Sequence, residues 1–271
     1  MDQLKGLKRN TIDKYYTRKK IVKKCLHYVK KIIDIHFEDD MIIEPSAGNG
    51  KFINGLNKLC KNCNFYDIEP ENDLIKKQDY LQLNIINKYN NIHVIGNPPF
   101  GRQSSLVIKF IKKSILFASS ISFILPKSFK KDSLKKHFPL SFHLEKEIDL
   151  PDNSFTVNNE KYDVPCIFQI WIKKDFDRKE IKKLAPINFT FVKKDNKPDI
   201  SFRRVGVYAG FIDKNKNKSI QSHYFIKFDK FNDKLFDKLK IIDFDCKNYT
   251  VGPKSISKQE LIKEYNKLTI L

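Results

Sequence analysis

The sequence predicts an α/β fold: a doubly wound, mostly parallel sheet over residues 1–174, then a small C-terminal α+β region over residues 175–271. Three observations lead there. Short apolar runs alternate with segments of helical period as far as residue 174, the pattern of a parallel sheet covered by helices. One run, Met41-Ile42-Ile43-Glu44, enters the glycine-containing turn Pro45-Ser46-Ala47-Gly48-Asn49-Gly50 just before a helix start at residues 51–56. Another, His93-Val94-Ile95-Gly96, stops at Asn97-Pro98-Pro99-Phe100. Two prolines in a row have no N–H to donate and a fixed φ, so they end a strand and hold their carbonyls rigidly.

Residues 1–17 are polar and read as partly extended, with Thr17 placed to N-cap a helix. Ile21, Val22, Cys25, Leu26, Val29, Ile32 and Ile33 then form one apolar stripe with lysines opposite. Asp39-Asp40 turns the chain into the strand 41–44, and the helix after Gly50 is expected to reach about residue 59. Residues 64–66 make a second strand that ends at Asp67-Ile68-Glu69-Pro70. Residues 104–117 read as a helix with Leu106, Val107, Phe110, Ile111 and Ile115 inward, and 121–125 as a buried strand stopped by Pro126. A short basic helix at 130–137 precedes a closing strand pair, 142–150 and 164–172, joined by a loop rich in Asp and Asn. Beyond Lys174 helices stop alternating with strands. Strands are expected at 200–211 and 219–228, a helix at 231–242, and a last helix opened by a Ser257–Glu260 capping box.

Composition narrows the function. A net charge of +20 over 271 residues points to a polyanionic partner, most simply nucleic acid. Only six of the 52 basic residues are arginine, and two of these, Arg203 and Arg204, are adjacent and suited to phosphate. The longest uncharged stretch, 114–126, is too short to span a membrane. The Lys-rich start lacks the apolar segment of a signal peptide. Five cysteines without a framework spacing suggest a reducing compartment, cytoplasmic or nuclear. Cys60 and Cys63 form one CxxC with no second pair or histidine cluster to complete a zinc site, so no metal is expected.

Two motifs carry chemistry. Gly48 and Gly50 let the backbone turn sharply and approach a ligand. With Glu44, Ser46 and the helix start beyond, they give nucleotide-binding geometry at the carboxyl end of a strand. Asp67, with Ile68 beside it, stands where an acidic side chain hydrogen-bonds ribose hydroxyls, and Glu69 is the competitor. At Asn97-Pro98-Pro99-Phe100, fixed carbonyls flanked by an amide and a ring suit a planar amine. The carbonyls accept its hydrogens and the ring covers its face. Phe155 is an apolar ring in a polar loop, a position where bases stack.

The two motifs, roughly fifty residues apart, resemble motifs I and IV of the class I S-adenosylmethionine-dependent amino-methyltransferases. The resemblance implies a Rossmann-like methyltransferase core with S-adenosylmethionine as cofactor. Asp13-Lys14-Tyr15-Tyr16-Thr17 resembles motif X of the same enzymes, which implies that Tyr16 and Thr17 close over the methionine part. Glu44 is then expected near the methionine ammonium. Asp79 is expected to accept from the cofactor's adenine amine, Tyr80 to cover that ring, and Phe155 to stand for the aromatic of motif VIII. The order of motifs resembles the γ arrangement of adenine-N6 DNA methyltransferases. Stretches such as Phe123-Ile124-Leu125-Pro126, Asp163-Val164-Pro165-Cys166-Ile167-Phe168 and Ser222-His223-Tyr224-Phe225 are similar to those of phage, bacterial and viral homologues.

The implied activity is methyl transfer to the N6 amine of adenine in nucleic acid, with DNA favoured and RNA possible. Asn97 and Pro98 would take the amine, Pro99 would stiffen the turn, and Phe100 with Phe155 would hold the base. Asn97 would also border the cofactor. Residues 175–271 would supply nucleic-acid recognition through Arg203 and Arg204. The alternatives are methylation of another planar amine, in ribosomal RNA or a protein glutamine, and a non-catalytic module of the same fold that binds nucleic acid.

Overall fold

Alternate residues of the central strands belong to two different cores. Ile42, Ile95, Ile124 and Phe168 pack in one, while Met41, Ile43, Val94, Phe123, Leu125 and Ile167 pack in the other. A strand turns successive side chains to opposite faces, so a sheet with this pattern must be covered on both sides. The computed structural model describes residues 15–85, 88–157 and 160–269 and divides the chain into two compact units that part between Lys179 and Glu180.

The strands of the first unit are β1 (Tyr16–Thr17), β2 (Met41–Glu44), β3 (Asn62–Asp67), β4 (Lys76–Lys77), β5 (Ile92–Gly96), β6 (Ser120–Pro126), β7 (Phe142–Asp149), β8 (Phe155–Val157), β9 (Glu160–Tyr162) and β10 (Cys166–Lys173). Its helices are α1 (Lys19–Ile32), α2 (Ile53–Leu56), α3 (Ser105–Ser114) and α4 (Asp132–Lys135). Seven strands form the main sheet in the order β4-β3-β2-β5-β6-β10-β7. The pairs from β4 through β6 are parallel, and β10 runs antiparallel to both its neighbours. The chain leaves β2 for β3 on one side and later returns to place β5 on the other. Strand order therefore reverses between β2 and β5, and a crevice opens beyond their carboxyl ends. Helix α1 packs Ile21, Val22, Cys25 and Val29 into one core, and α3 packs Val107, Phe110 and Ile111 into the other.

Several elements differ from expectation. Thr17 does not cap α1: it is buried in β1, paired with Phe155 of β8, and Arg18 precedes the helix without a side-chain cap. Helix α2 is one turn, not two, because the chain turns again at residues 57–59 to reach β3. The Asp- and Asn-rich loop holds a hairpin, β8–β9, which with β1 makes a separate three-stranded sheet.

The second unit has strands β11 (Phe189–Val192), β12 (Ile200–Arg203), β13 (Ile212–Asp213) and β14 (His223–Phe228), in the antiparallel order β11-β14-β12-β13. Helices α5 (Asp233–Lys240) and α6 (Lys258–Thr269) complete an α+β unit around Ile200, Phe202, Ile226, Leu261 and Tyr265. The expected capping box is formed: Ser257 N–H donates to Glu260 Oε2 at 2.7 Å and Glu260 N–H to Ser257 Oγ at 3.3 Å.

Candidate active site

A cavity of about 280 Å³ occupies the crevice where strand order reverses, near the lower end of the size range of ligand pockets. Its walls come from the segments that follow β2, β3 and β5, together with β1 and the residues around Asp79.

The turn after β2 is fixed from both sides. Gly48 has φ 53°, where a side chain is strained, and a Cβ there would sit 3.4 Å from the Tyr16 ring. Its N–H donates to Asp67 Oδ2 at 2.8 Å, and its carbonyl accepts from Glu71 N–H at 3.1 Å. The other oxygen of Asp67 accepts from Glu69 N–H at 2.9 Å. Asp67 thus holds the turn, and each carboxylate oxygen can still accept a second hydrogen bond. Glu69 also borders the cavity and is exposed. Tyr16 donates its hydroxyl to Glu71, which joins β1 to the segment after β3.

The turn after β5 is set by a contact across the sequence. Asn97 Nδ2 donates to the carbonyl of Tyr15 at 3.0 Å. A carbonyl only accepts, so the amide nitrogen must face Tyr15 and the amide oxygen must face away. Asn97 Oδ1 is buried and has no hydrogen-bond partner. The backbone carbonyl of Asn97 accepts from Ser46 Oγ at 3.1 Å, tying the two motifs together. Phe100 borders the cavity and stacks on Tyr15, centroids 6.4 Å apart.

Glu44 is the second acceptor without a partner. It ends β2, is 2% exposed, and its Oε2 has no hydrogen bond. Burial, then the nearby charge of Asp67, raises its carboxyl well above the usual carboxylate range. Asn97 and Glu44, each with an unpartnered buried oxygen, both border the cavity, a pairing that suits a ligand bringing hydrogen-bond donors and positive charge.

The cavity gathers Tyr16, Thr17, Glu44, Ser46, Gly48, Asp67, Ile68, Asp79, Tyr80, Asn97, Pro98, Pro99 and Phe100. Asp13 and Lys14 of the N-terminal motif lie outside the described residues. Four expected site residues lie elsewhere. Gly50 does not border the cavity; a Cβ there would meet Ile53 at 2.8 Å, so its role is to let the turn pack. Phe155 is fully buried, packed in the core and edge-on to Tyr15, which corrects the expectation of a base-stacking ring. Arg203 and Arg204 belong to the second unit and are hydrogen-bonded within it, Arg203 Nε to Val205 O and Arg204 Nη2 to Gln221 O. Tyr80 is a wall rather than a free ring: it is 1% exposed, stacked on Phe110, and its hydroxyl is 2.7 Å from Ser114 Oγ. Asp79 is exposed, and its Oδ1 accepts from Leu81 N–H. Tyr15 was not singled out from the sequence, because its part is played by a backbone carbonyl that any residue possesses.

No protein-family model matches the chain, and no curated protein matches it. Among solved structures the chain is similar to a Pyrococcus horikoshii protein assigned as an RNA methyltransferase, at 16% identity and TM-score 0.48 over 63% of this chain and 93% of that one. It is similar to the 23S rRNA methyltransferase ErmE at 12% identity and TM-score 0.45, over 61% and 72% of the two chains. It is also similar to the magnesium protoporphyrin IX methyltransferase of Synechocystis, solved with bound SAM, at 11% identity and TM-score 0.39 over 58% and 79%.

Among the described residues no three His, Cys, Asp or Glu side chains are grouped to hold a metal ion. Cys60 Sγ donates to the carbonyl of Asp40 and Cys63 Sγ to that of Cys60. No helix among the described residues is long and apolar enough to cross a membrane.

Proposed function

We propose that this protein transfers a methyl group from S-adenosylmethionine to the N6 amine of adenine in nucleic acid, with DNA the favoured substrate. The observation that carries this reading is Asn97, whose amide nitrogen is engaged by Tyr15 and whose buried oxygen still lacks a donor. A buried acceptor left unpaired costs about 1–3 kcal/mol, and an amine entering the cavity would remove that cost. Asn97 Oδ1 and the carbonyl of Pro98 would accept the two hydrogens of the amine. Paired in this way, the nitrogen withdraws its lone pair from the base and presents it as a nucleophile. Fixed dipoles aimed at the nitrogen stabilise the positive charge that develops there. Phe100 would cover one face of the base.

The cavity residues fit the cofactor. Bound S-adenosylmethionine supplies a methyl group on a sulfonium as the electrophile. The Gly48 turn would let the backbone approach it, and Asp67 would accept from ribose. Asp79 would accept from the adenine amine through the oxygen not used on Leu81. Glu44 would meet the ammonium, which explains why a carboxyl is retained in a fully buried position. Residues 15–179 are the catalytic unit in this reading, and the remainder contributes nucleic-acid recognition.

The test is mass spectrometry of nucleosides from DNA and RNA after incubation with the protein and isotopically labelled cofactor. Label in N6-methyl-2′-deoxyadenosine from DNA supports the proposal, and label in N6-methyladenosine from RNA instead keeps the reaction but overturns the preference for DNA. Label in another nucleoside or in protein overturns it.

A further inference from the structure

Three connections of the second unit are joined by backbone hydrogen bonds. Arg204 N–H donates to Ser222 O at 3.0 Å, Gly206 N–H to Lys254 O at 2.9 Å, and Ile256 N–H to Arg204 O at 2.9 Å. The loop between β12 and β13 is bonded internally as well. Ala209 N–H donates to Gly206 O at 3.0 Å, Gly210 N–H to Arg203 O at 2.8 Å and Phe211 N–H to Tyr208 O at 3.0 Å. Gly206 and Gly210 take φ near 100°, and Ala209 is buried as the anchor. Yet Val207, Tyr208 and Phe211 are 80%, 75% and 58% exposed, and Ile220 on the adjoining connection is 70% exposed. A loop this well bonded displays its rings by construction and not by looseness. Exposed apolar side chains held together mark an interaction surface.

The charge around them names the partner. Residues 203–222 and 246–258 contain eight lysines and arginines and one acidic residue, Asp213. Lys214, Lys218 and Lys247 are paired with aspartates, while Lys216 and Lys254 are exposed and in no ion pair among the described residues. Flat rings with cations beside them bind single strands, the rings stacking on bases and the cations meeting phosphates. In a duplex the base faces are already covered. The choice of DNA over RNA follows the substrate proposed above, and the probes below test it.

We propose that this face of the second unit binds single-stranded DNA, with Tyr208 and Phe211 as the stacking rings. The inference rests on the reading that nucleic acid is the substrate, and it adds the strand form and the residues that hold it.

The experiment uses the full chain and three fluorescent probes of equal length: oligodeoxythymidine, oligouridine and a DNA duplex. Tyr208→Ala and Phe211→Ala should each weaken oligodeoxythymidine binding at least about fivefold, the equivalent of 1 kcal/mol lost per stacked base. The slope of affinity against salt should stay unchanged, because no cation is removed. Tyr208→Trp should keep binding, with its new fluorescence quenched by the strand. Calorimetry with S-adenosylmethionine on the same proteins should give equal affinities, which shows the first unit intact. Wild-type affinity in both alanine variants overturns the inference, as does oligouridine or duplex binding as tight as that of oligodeoxythymidine. A wild-type dimer that these variants dissociate overturns it in favour of self-association. If the wild type binds cofactor but no strand, this inference falls while the methyl-transfer reading is decided by the nucleoside assay.

Discussion

Asn97 and Glu44 are both buried acceptors left without donors, and the two make different predictions. Asn97→Ala removes the contact to the target amine together with the hydrogen bond to the Tyr15 carbonyl, while the residues expected to hold the cofactor stay in place. Cofactor affinity by calorimetry should be unchanged, while the single-turnover methyl-transfer rate falls about a hundredfold or more, as when a group aimed at developing charge is lost. A rate within about threefold of wild type, less than 1 kcal/mol of barrier, would make the turn a structural one. Glu44→Gln should act in opposite directions on two measurements. Because the carboxyl is raised in the folded protein, the folded state binds its proton more tightly than the unfolded chain. Its contribution to stability is full below the ordinary glutamate value and is lost as pH rises toward the folded value. At neutral pH the amide avoids that loss, so ligand-free Glu44→Gln should melt higher than wild type. It should also bind S-adenosylmethionine about tenfold or more weakly, for want of a charged hydrogen bond. A variant that melts lower and binds as well would remove Glu44 from the site. Asn97 was legible in the sequence because two prolines after a strand mark the spot. What orients it was not legible: the partner is the main chain of Tyr15, 82 residues away.

Asp40, His93 and Ser120 tie the amino-terminal edges of β2, β5 and β6 together. His93 Nε2 lies 3.2 Å from Asp40 Oδ2, and Nδ1 lies 2.8 Å from Ser120 Oγ. Burial pushes His93 below its ordinary value against the pull of Asp40. Burial also works to raise Asp40, but hydrogen bonds from His36 N–H, Asn91 and His93 outweigh it and hold the carboxyl below its usual range. Both folded values lie under the unfolded ones, so both groups stabilise at high pH. The His93 contribution is lost as pH falls below about 6.5 and that of Asp40 as pH falls below about 3.9. In a Glu44→Gln background, which removes the opposing titration of that carboxyl, thermal melts should therefore drop between pH 7.5 and 5.5, and His93→Gln should flatten that interval. An equal slope with and without His93→Gln would exclude the cluster as its cause. The parallel strands β2, β5 and β6 were readable because each is a short apolar run ending at a turn residue, whereas β4, two exposed lysines beside β3, was not. The hairpin β8–β9 and the burial of Phe155 were not readable. Its polar loop hides an element whose ring is covered only when β1 arrives from 140 residues earlier, Tyr16 opposite Thr156. Phe155→Ala should accordingly cost about 3–5 kcal/mol of stability, the ordinary penalty for emptying a buried ring site. A fully stable variant with impaired substrate binding would restore the stacking role.

Across the whole chain, the shift in composition near residue 175 suggested a boundary, and the compact units part at Lys179. The net charge of +20 suggested a polyanion but could not say where it docks. The adjacent arginines were the obvious candidates, yet both guanidiniums are engaged by neighbouring backbone carbonyls. Their replacement by glutamine is therefore expected to loosen the loop as well as remove charge. The residues that carry the exposed face instead are apolar ones, which composition reads as core. The two units also make a prediction about separability. Each has its own buried core: residues 21–171 supply those of the first and residues 189–265 that of the second. Residues 179–185 are exposed and in neither helix nor strand, and they contain Lys179, Lys182 and Lys183. Brief digestion with trypsin should cut there before elsewhere among the described residues, leaving two resistant fragments. Exposed backbone outside regular structure is cut where opening costs least. The larger fragment should retain S-adenosylmethionine binding, since every residue bordering the cavity lies between Tyr15 and Phe110. First cuts inside α3 or β6, or a larger fragment that stays folded by circular dichroism yet binds no cofactor, would show that the first unit does not carry the site alone.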